Sequence, residues 1–188
     1  MDPSLKTFLT SLAPFDESEL NDAGELFTYD LIKKDRFFLK AGHFSDRIGY
    51  VKSGMLRFYF ESGRKETTTF FASPGTLAVD LHSFLMCIPS KESVEALADT
   101  EILYVKRKDL YSLYPGNWKW QQVGRILMEQ YFVASEERTT RLQCQSAHKL
   151  YEQFIQRHPE VVRVASLSYI ASYLGMTPET LSRIRKIP

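Results

Sequence analysis

Residues 166–186 read SLSYIASYLGMTPETLSRIRK, and this stretch decides how the C-terminal part of the chain folds. Ser166 suits a helix cap, and Leu167, Ile170, Ala171 and Leu174 follow at the i, i+3, i+4 and i+7 positions of one helical face. Gly175 supplies the left-handed backbone position that ends such a helix. Thr177 is a good N-cap, and Pro178 stands at the first helical position, where a missing N–H costs least. In the second helix Leu181 and Ile184 point inward, leaving Glu179, Thr180, Ser182, Arg183 and Lys186 outside. An arginine forks onto guanine O6 and N7, a glutamate accepts from cytosine N4, and hydroxyls and lysine hold phosphates. The spacing predicts a helix-turn-helix whose second helix enters a DNA groove. The plainer alternative is a tight helix pair serving an ordinary core.

Charge points the same way. The chain of 188 residues carries a net charge of only +1, yet residues 1–137 sum to −4 and residues 138–188 to +5. A basic C-terminal segment on an acidic body fits a small DNA-reading module attached to a sensor or scaffold. Composition, 44% hydrophobic and 25% charged, is that of a soluble globular protein. No apolar run approaches a membrane span, and the N-terminus lacks a signal-peptide pattern. Cys87 and Cys144 form neither a disulfide framework nor a CxxC site, so a cytoplasmic location is expected. His43, His82, His148 and His158 show no ligand spacing, and no metal is expected.

Upstream, the period of the sequence changes twice. The first two dozen residues read as helical, with Leu5, Phe8, Leu9 and Leu12 on one face, a break at Pro14, and a short helix from Asp16 to Gly24. From Leu26 to about Lys106, RFFLKAG, IGYVKSG, MLRFYFESG, ETTTFFASPG and EILYVKR are short β-branched and aromatic runs divided by turn residues. That spacing predicts a sandwich or barrel rather than a parallel sheet. After Pro115 the helical period returns. Asn117 caps a long helix running to about Glu137, with Trp120, Val123, Leu127, Gln130 or Tyr131, and Ala134 as a seam. Such a seam suits a partner helix, and the alternative is packing against the β region. A further helix is expected from about Thr140 through Ile155, with a domain boundary near Glu137–Thr140.

This order of elements resembles the CRP/FNR family of bacterial transcription regulators. IASYLGMTPETLSRIRK resembles the family's signature I-(A/G)-x-x-(L/V)-G-x-(S/T)-x-E-T-(V/L)-(S/G)-R, and AGHFSDRIGYVKSG resembles its G-x-x-x-(D/S)-x-(I/L)-(Y/F)-x-(V/I)-x-x-G strand and turn, with Gly42 and Gly54 as turns. The resemblance implies an α+β fold: an antiparallel, cyclic-nucleotide-binding-like β-roll (a double-stranded β-helix) over residues 1–116, a dimerisation helix over 117–138, and a helix-turn-helix domain over 139–188. It places Glu179 and Arg183 on base-reading positions, and Thr177, Thr180 and Ser182 on backbone-contacting or capping ones. Pro178 stands where the family's cyclic-AMP receptor has a guanine-reading arginine, so the preferred DNA sequence should differ. Many members continue into a β-hairpin wing, whereas this sequence stops at Ile187–Pro188; either the wing is lacking, with fewer phosphate contacts expected, or the sequence ends short of it.

The ligand cassette departs from the family pattern. Members that bind cyclic nucleotide resemble F-G-E-(L/I)-(A/G)-L followed by R-(S/T)-A-x-V, where the carboxylate holds the ribose and the arginine pairs with the phosphate. Here the stretch reads LAVDLHSFLMCIPSKESVEAL. Val79 replaces the glycine, Asp80 takes the place of the glutamate, Lys91 stands where arginine is expected, and Glu92 falls where a small hydroxyl donor belongs. A carboxylate there repels an anion, and lysine lacks the arginine fork. The expected effector pocket comprises Leu77, Val79, Asp80, Lys91, Glu92, Leu127 and Tyr131, and it is not expected to take cyclic AMP. It holds either another small molecule or no ligand. An iron–sulfur cluster needs about four cysteines, and the chain has two.

The leading expectation is therefore a homodimeric, sequence-specific DNA-binding regulator. Its expected partners are a pseudo-palindromic double-stranded operator, a second copy of the chain, and RNA polymerase. The alternative is a ligand-binding or protein-interaction module whose helix-turn-helix no longer reads DNA. Catalysis ranks last. Asp80, Glu92, Glu95 and Ser90 have no companion base at a recognisable spacing, and there is no Gly-rich phosphate loop.

Overall fold

The computed structural model describes residues 1–63 and 65–186. Two four-stranded antiparallel sheets face each other. The first runs β1 (Thr28–Ile32), β8 (Thr100–Lys106), β3 (Arg47–Ser53), β6 (Leu77–Ala78), and the second β2 (Phe37–Leu39), β7 (Glu92–Ala96), β4 (Leu56–Ser62), β5 (Lys65–Ala72). Because side chains alternate across a strand, one parity of each strand fills the roll and the other faces outward. Ile32, Val51, Leu56, Phe58, Ala72, Val94 and Ile102 form the inner cluster. The expected α+β roll is found.

Each outer face then needs a cover. On the first sheet, Tyr50 and Leu103 meet Leu5 and Leu9 of α1 (Pro3–Thr10), Leu20 of α2 (Glu17–Gly24), and Trp120 and Val123 of α5 (Trp118–Cys144). Asp16 and Glu19 form a reciprocal capping box on α2. Glu19 also accepts from Asn117 Nδ2 at 2.7 Å and Lys119 Nζ at 2.5 Å, tying α2 to the start of the long helix. The Lys119 contact, followed by the Asp16 backbone, pulls the Glu19 carboxyl down to about 2.

On the second sheet, Met55 and Phe71 meet the C-terminal helices α6 (Ala147–Arg157), α7 (Pro159–Val164), α8 (Leu167–Tyr173) and α9 (Pro178–Ile184). Phe154, Val161, Ile170, Ala171, Leu174 and Leu181 complete that cluster. The C-terminal helices thus pack on the roll rather than hanging from a linker.

Several sequence expectations need correction. The long helix does not stop near Glu137 but continues through Thr140 to Cys144, and the break falls where Ser146 caps α6. Its seam divides. Trp120 and Val123 are buried against the chain's own N-terminal helices and roll, and Leu127 packs beside them, whereas Gln130, Tyr131 and Ala134 face solvent. A short helix, α3 (Leu81–Met86), interrupts the β region, and another, α4 (Arg107–Leu113), directly follows β8, where the sequence period showed none. Ile187 and Pro188, where the question of a wing arises, lie outside the described residues. Among the described residues no helix is long and apolar enough to cross a membrane.

Candidate nucleic-acid interface

The helix-turn-helix is built from local chemistry. Ser166 Oγ accepts from Tyr169 N at 3.3 Å and so caps α8. At its far end Gly175 adopts φ 68°, and the N–H of Met176 returns to the carbonyl of Ala171 at 3.0 Å. Thr177 Oγ1 then accepts from Thr180 N at 3.2 Å, and Pro178 opens α9. Ile170, Ala171, Leu174 and Leu181 are buried between the two helices and α6. This common core makes α8 and α9 one rigid piece.

Burying Leu181 on one side of α9 turns Glu179, Ser182, Arg183 and Lys186 outward, and all four are exposed. Glu179 and Arg183 fall at i and i+4 on one face of the helix, and Lys186 follows in the turn beyond its end. The helix's own N-terminal N–H, then the Thr177 hydroxyl, hold the Glu179 carboxyl below its usual range, with Arg183 helping. It is an ionised acceptor at neutral pH. Thr177 and Pro178 are exposed at the start of the helix, while Thr180 is half-buried and committed to the cap. Arg185, exposed just past the end of α9, extends the basic surface and was not singled out in the sequence.

The seven expected pocket residues have different surroundings. Leu77 and Leu127 pack against the apolar cluster under α1 and α2. Asp80 is buried as the N-cap of α3, its carboxylate accepting from Ser83 N at 3.1 Å. Glu92 is half-buried and accepts from Thr69 Oγ1 at 2.5 Å. Desolvation, opposed by that hydroxyl and reinforced by the charge of Asp80, raises its pKa. Val79 is half-buried, Lys91 is exposed, and Tyr131 stands in solvent on α5. Asp80 and Glu92 thus bring two carboxyl groups near each other. Ser90 Oγ is occupied by the backbone of Glu92, donating to its carbonyl and accepting from its N–H.

Residues 31–117 match the cyclic nucleotide-binding domain family. No curated protein matches the sequence. FixK2 from Bradyrhizobium japonicum superposes with a TM-score of 0.73 at 21% identity, over 85% of this chain and 82% of that one. CooA from Carboxydothermus hydrogenoformans gives 0.67 at 16% identity, over 94% and 80%. The chain has the fold of the CRP/FNR regulators. The catabolite activator protein of Thermus thermophilus shares this CRP/FNR fold with a TM-score of 0.59 at 21% identity, over 95% of this chain and 84% of that one. Roll, long helix and helix-turn-helix are thus placed as the CRP/FNR fold places them.

Three side chains beyond those expected join the C-terminal helices to the roll: Arg57, Tyr169 and Ser172. Nothing local to residue 57 shows that a helix more than a hundred residues later covers it.

Proposed function

We propose that this protein is a homodimeric, sequence-specific DNA-binding regulator, not an enzyme, acting on a pseudo-palindromic duplex. The observation that carries this reading is the exposed set of Glu179, Ser182 and Arg183 on a capped helix whose opposite side is buried, with Lys186 exposed in the turn that follows. Such a set reads base edges and holds phosphates in a major groove. The regulator neighbours share the arrangement of roll, long helix and terminal helices, which supports the same use.

Dimerisation is supported by the outer side of α5. Met128, Tyr131 and Phe132 are exposed there, and Gly124, Met128, Tyr131 and Ser135 repeat at alternating spacings of four and three. That spacing is the seam of a two-stranded coiled coil. Two recognition helices would then meet successive major grooves about 34 Å apart. RNA polymerase is the further partner of this proposal.

As for an effector, the cassette does not suit a cyclic phosphate. Asp80 is spent on a helix cap and Glu92 is a desolvated carboxylate, so neither donates to an anion. The regulator responds either to another small molecule or to none.

Selection of duplexes from a random pool tests the proposal. Enrichment of an inverted repeat is the expected result. A pool with no enriched motif would overturn it in favour of a module whose helix-turn-helix only packs.

A further inference from the structure

Arg57 is fully buried on the outer side of β4, between the roll and the helix-turn-helix. Its guanidinium lies 3.5 Å from the ring centre of Tyr169 on α8 and 4.2 Å from that of Tyr59 on its own strand. Nη1 donates to Glu95 at 2.8 Å and Nε to Thr68 Oγ1 at 2.9 Å. Nη2 lies 2.7 Å from Glu66, an ion pair bent outside hydrogen-bond geometry. Strands β4, β5 and β7 thus hold one planar cation in a fixed orientation and present its face to the DNA-reading domain.

We propose that Arg57 is the positioning residue that sets the orientation of the helix-turn-helix on the roll, and through it the spacing of the two recognition helices. This rests on the DNA-reading proposal above. Three arguments support it. First, α8 and α9 share one core, so the orientation of α8 is that of α9. Second, the apolar contacts across this junction, from Met55 and Phe71, are non-directional, so orientation falls to the paired guanidinium under Tyr169 and to the Ser172 hydroxyl bonded to β5. Third, a buried ion pair is commonly no more stabilising than apolar residues of the same volume, so its presence points to geometry rather than to stability. Burial, first of all, raises both tyrosines, Tyr59 to about 12, so both present neutral rings to the cation.

Two readouts test this. In a pool with a fixed half-site and varied spacers, the wild type should favour one spacing by about tenfold over its neighbours. Tyr169→Leu, which leaves both carboxylate pairs of Arg57 intact, should keep the half-site sequence but lose most of that preference. Arg57→Met should do the same, and Arg57→Lys, charged but without the planar fork, should fall between. Unchanged spacing preference in a folded Tyr169→Leu variant overturns the proposal. The second readout needs no DNA: amide exchange at Thr68, whose N–H is bonded to Ser172 on α8, should quicken in Tyr169→Leu while amides of β3 and β8 keep their rates. Should the wild type enrich no motif, the DNA-reading proposal fails, and exchange alone decides. Unaltered Thr68 exchange then overturns the role of Arg57.

Discussion

The backbone N–H of Thr68 on β5 donates to the Oγ of Ser172 on α8 across 2.9 Å, and that hydroxyl donates to the carbonyl of Glu66 at 3.2 Å. β5 is an edge strand of its sheet, and an open edge invites pairing with another chain. Here a helix of the helix-turn-helix covers it. Ser172→Ala leaves the Thr68 N–H unpaired in a partly buried place and should cost about 1–3 kcal/mol. Urea unfolding checks the size, and an unchanged midpoint would contradict it.

Gly54→Ala should be among the most damaging single changes in the roll. Gly54 has φ 84°, and an added Cβ would lie 2.4 Å from the carbonyl oxygen of Asp99 and 2.5 Å from Thr100 Oγ1. The first is backbone, and the second is held, since Thr100 Oγ1 accepts from Met55 N at 3.0 Å. A left-handed alanine in a closed space costs about 2 kcal/mol or more, read as a fall in Tm.

Thr177→Ala removes the cap of α9, and the expected loss is about 1 kcal/mol. Because Thr177 stands at the foot of that helix, DNA affinity should fall equally for matched and mismatched duplexes. A selective fall would show that the hydroxyl reads a base instead.

Glu92 gives the protein a pH-dependent term of known sign. Desolvation raises its folded pKa, so the folded chain binds the proton more tightly than the unfolded one. The protonated form contributes stability fully below the ordinary carboxylate pKa, and that contribution is lost as pH rises through the raised value. Glu92→Gln should therefore be more stable than wild type at neutral pH and equal to it in acid. Melting curves from about pH 4 to 8 check this. A difference constant across that range would assign the effect to packing.

The helix-turn-helix was legible because its determinants are local: Ser166, Gly175, Thr177 and Pro178 each act within one turn of their own backbone. The roll was legible in its longer strands and opaque in α3, whose cap, formed by Asp80 with its own third neighbour, no periodic pattern announces. The seam of α5 misled for a related reason. Trp120 and Tyr131 share one periodic pattern, yet one is buried under α1 and α2 and the other is exposed. Arg57 was illegible altogether, because its burial depends on Tyr169, which only the tertiary fold brings near.

Base reading by Arg183 is the centre of the account, and one titration addresses it. The wild type and Arg183→Ala are each titrated, at one salt concentration, with the enriched duplex and with the same duplex altered at the base pair Arg183 meets. The wild type should lose about 1–3 kcal/mol on the altered site, and Arg183→Ala should bind both alike. Equal affinity of the wild type for the two duplexes would contradict the account.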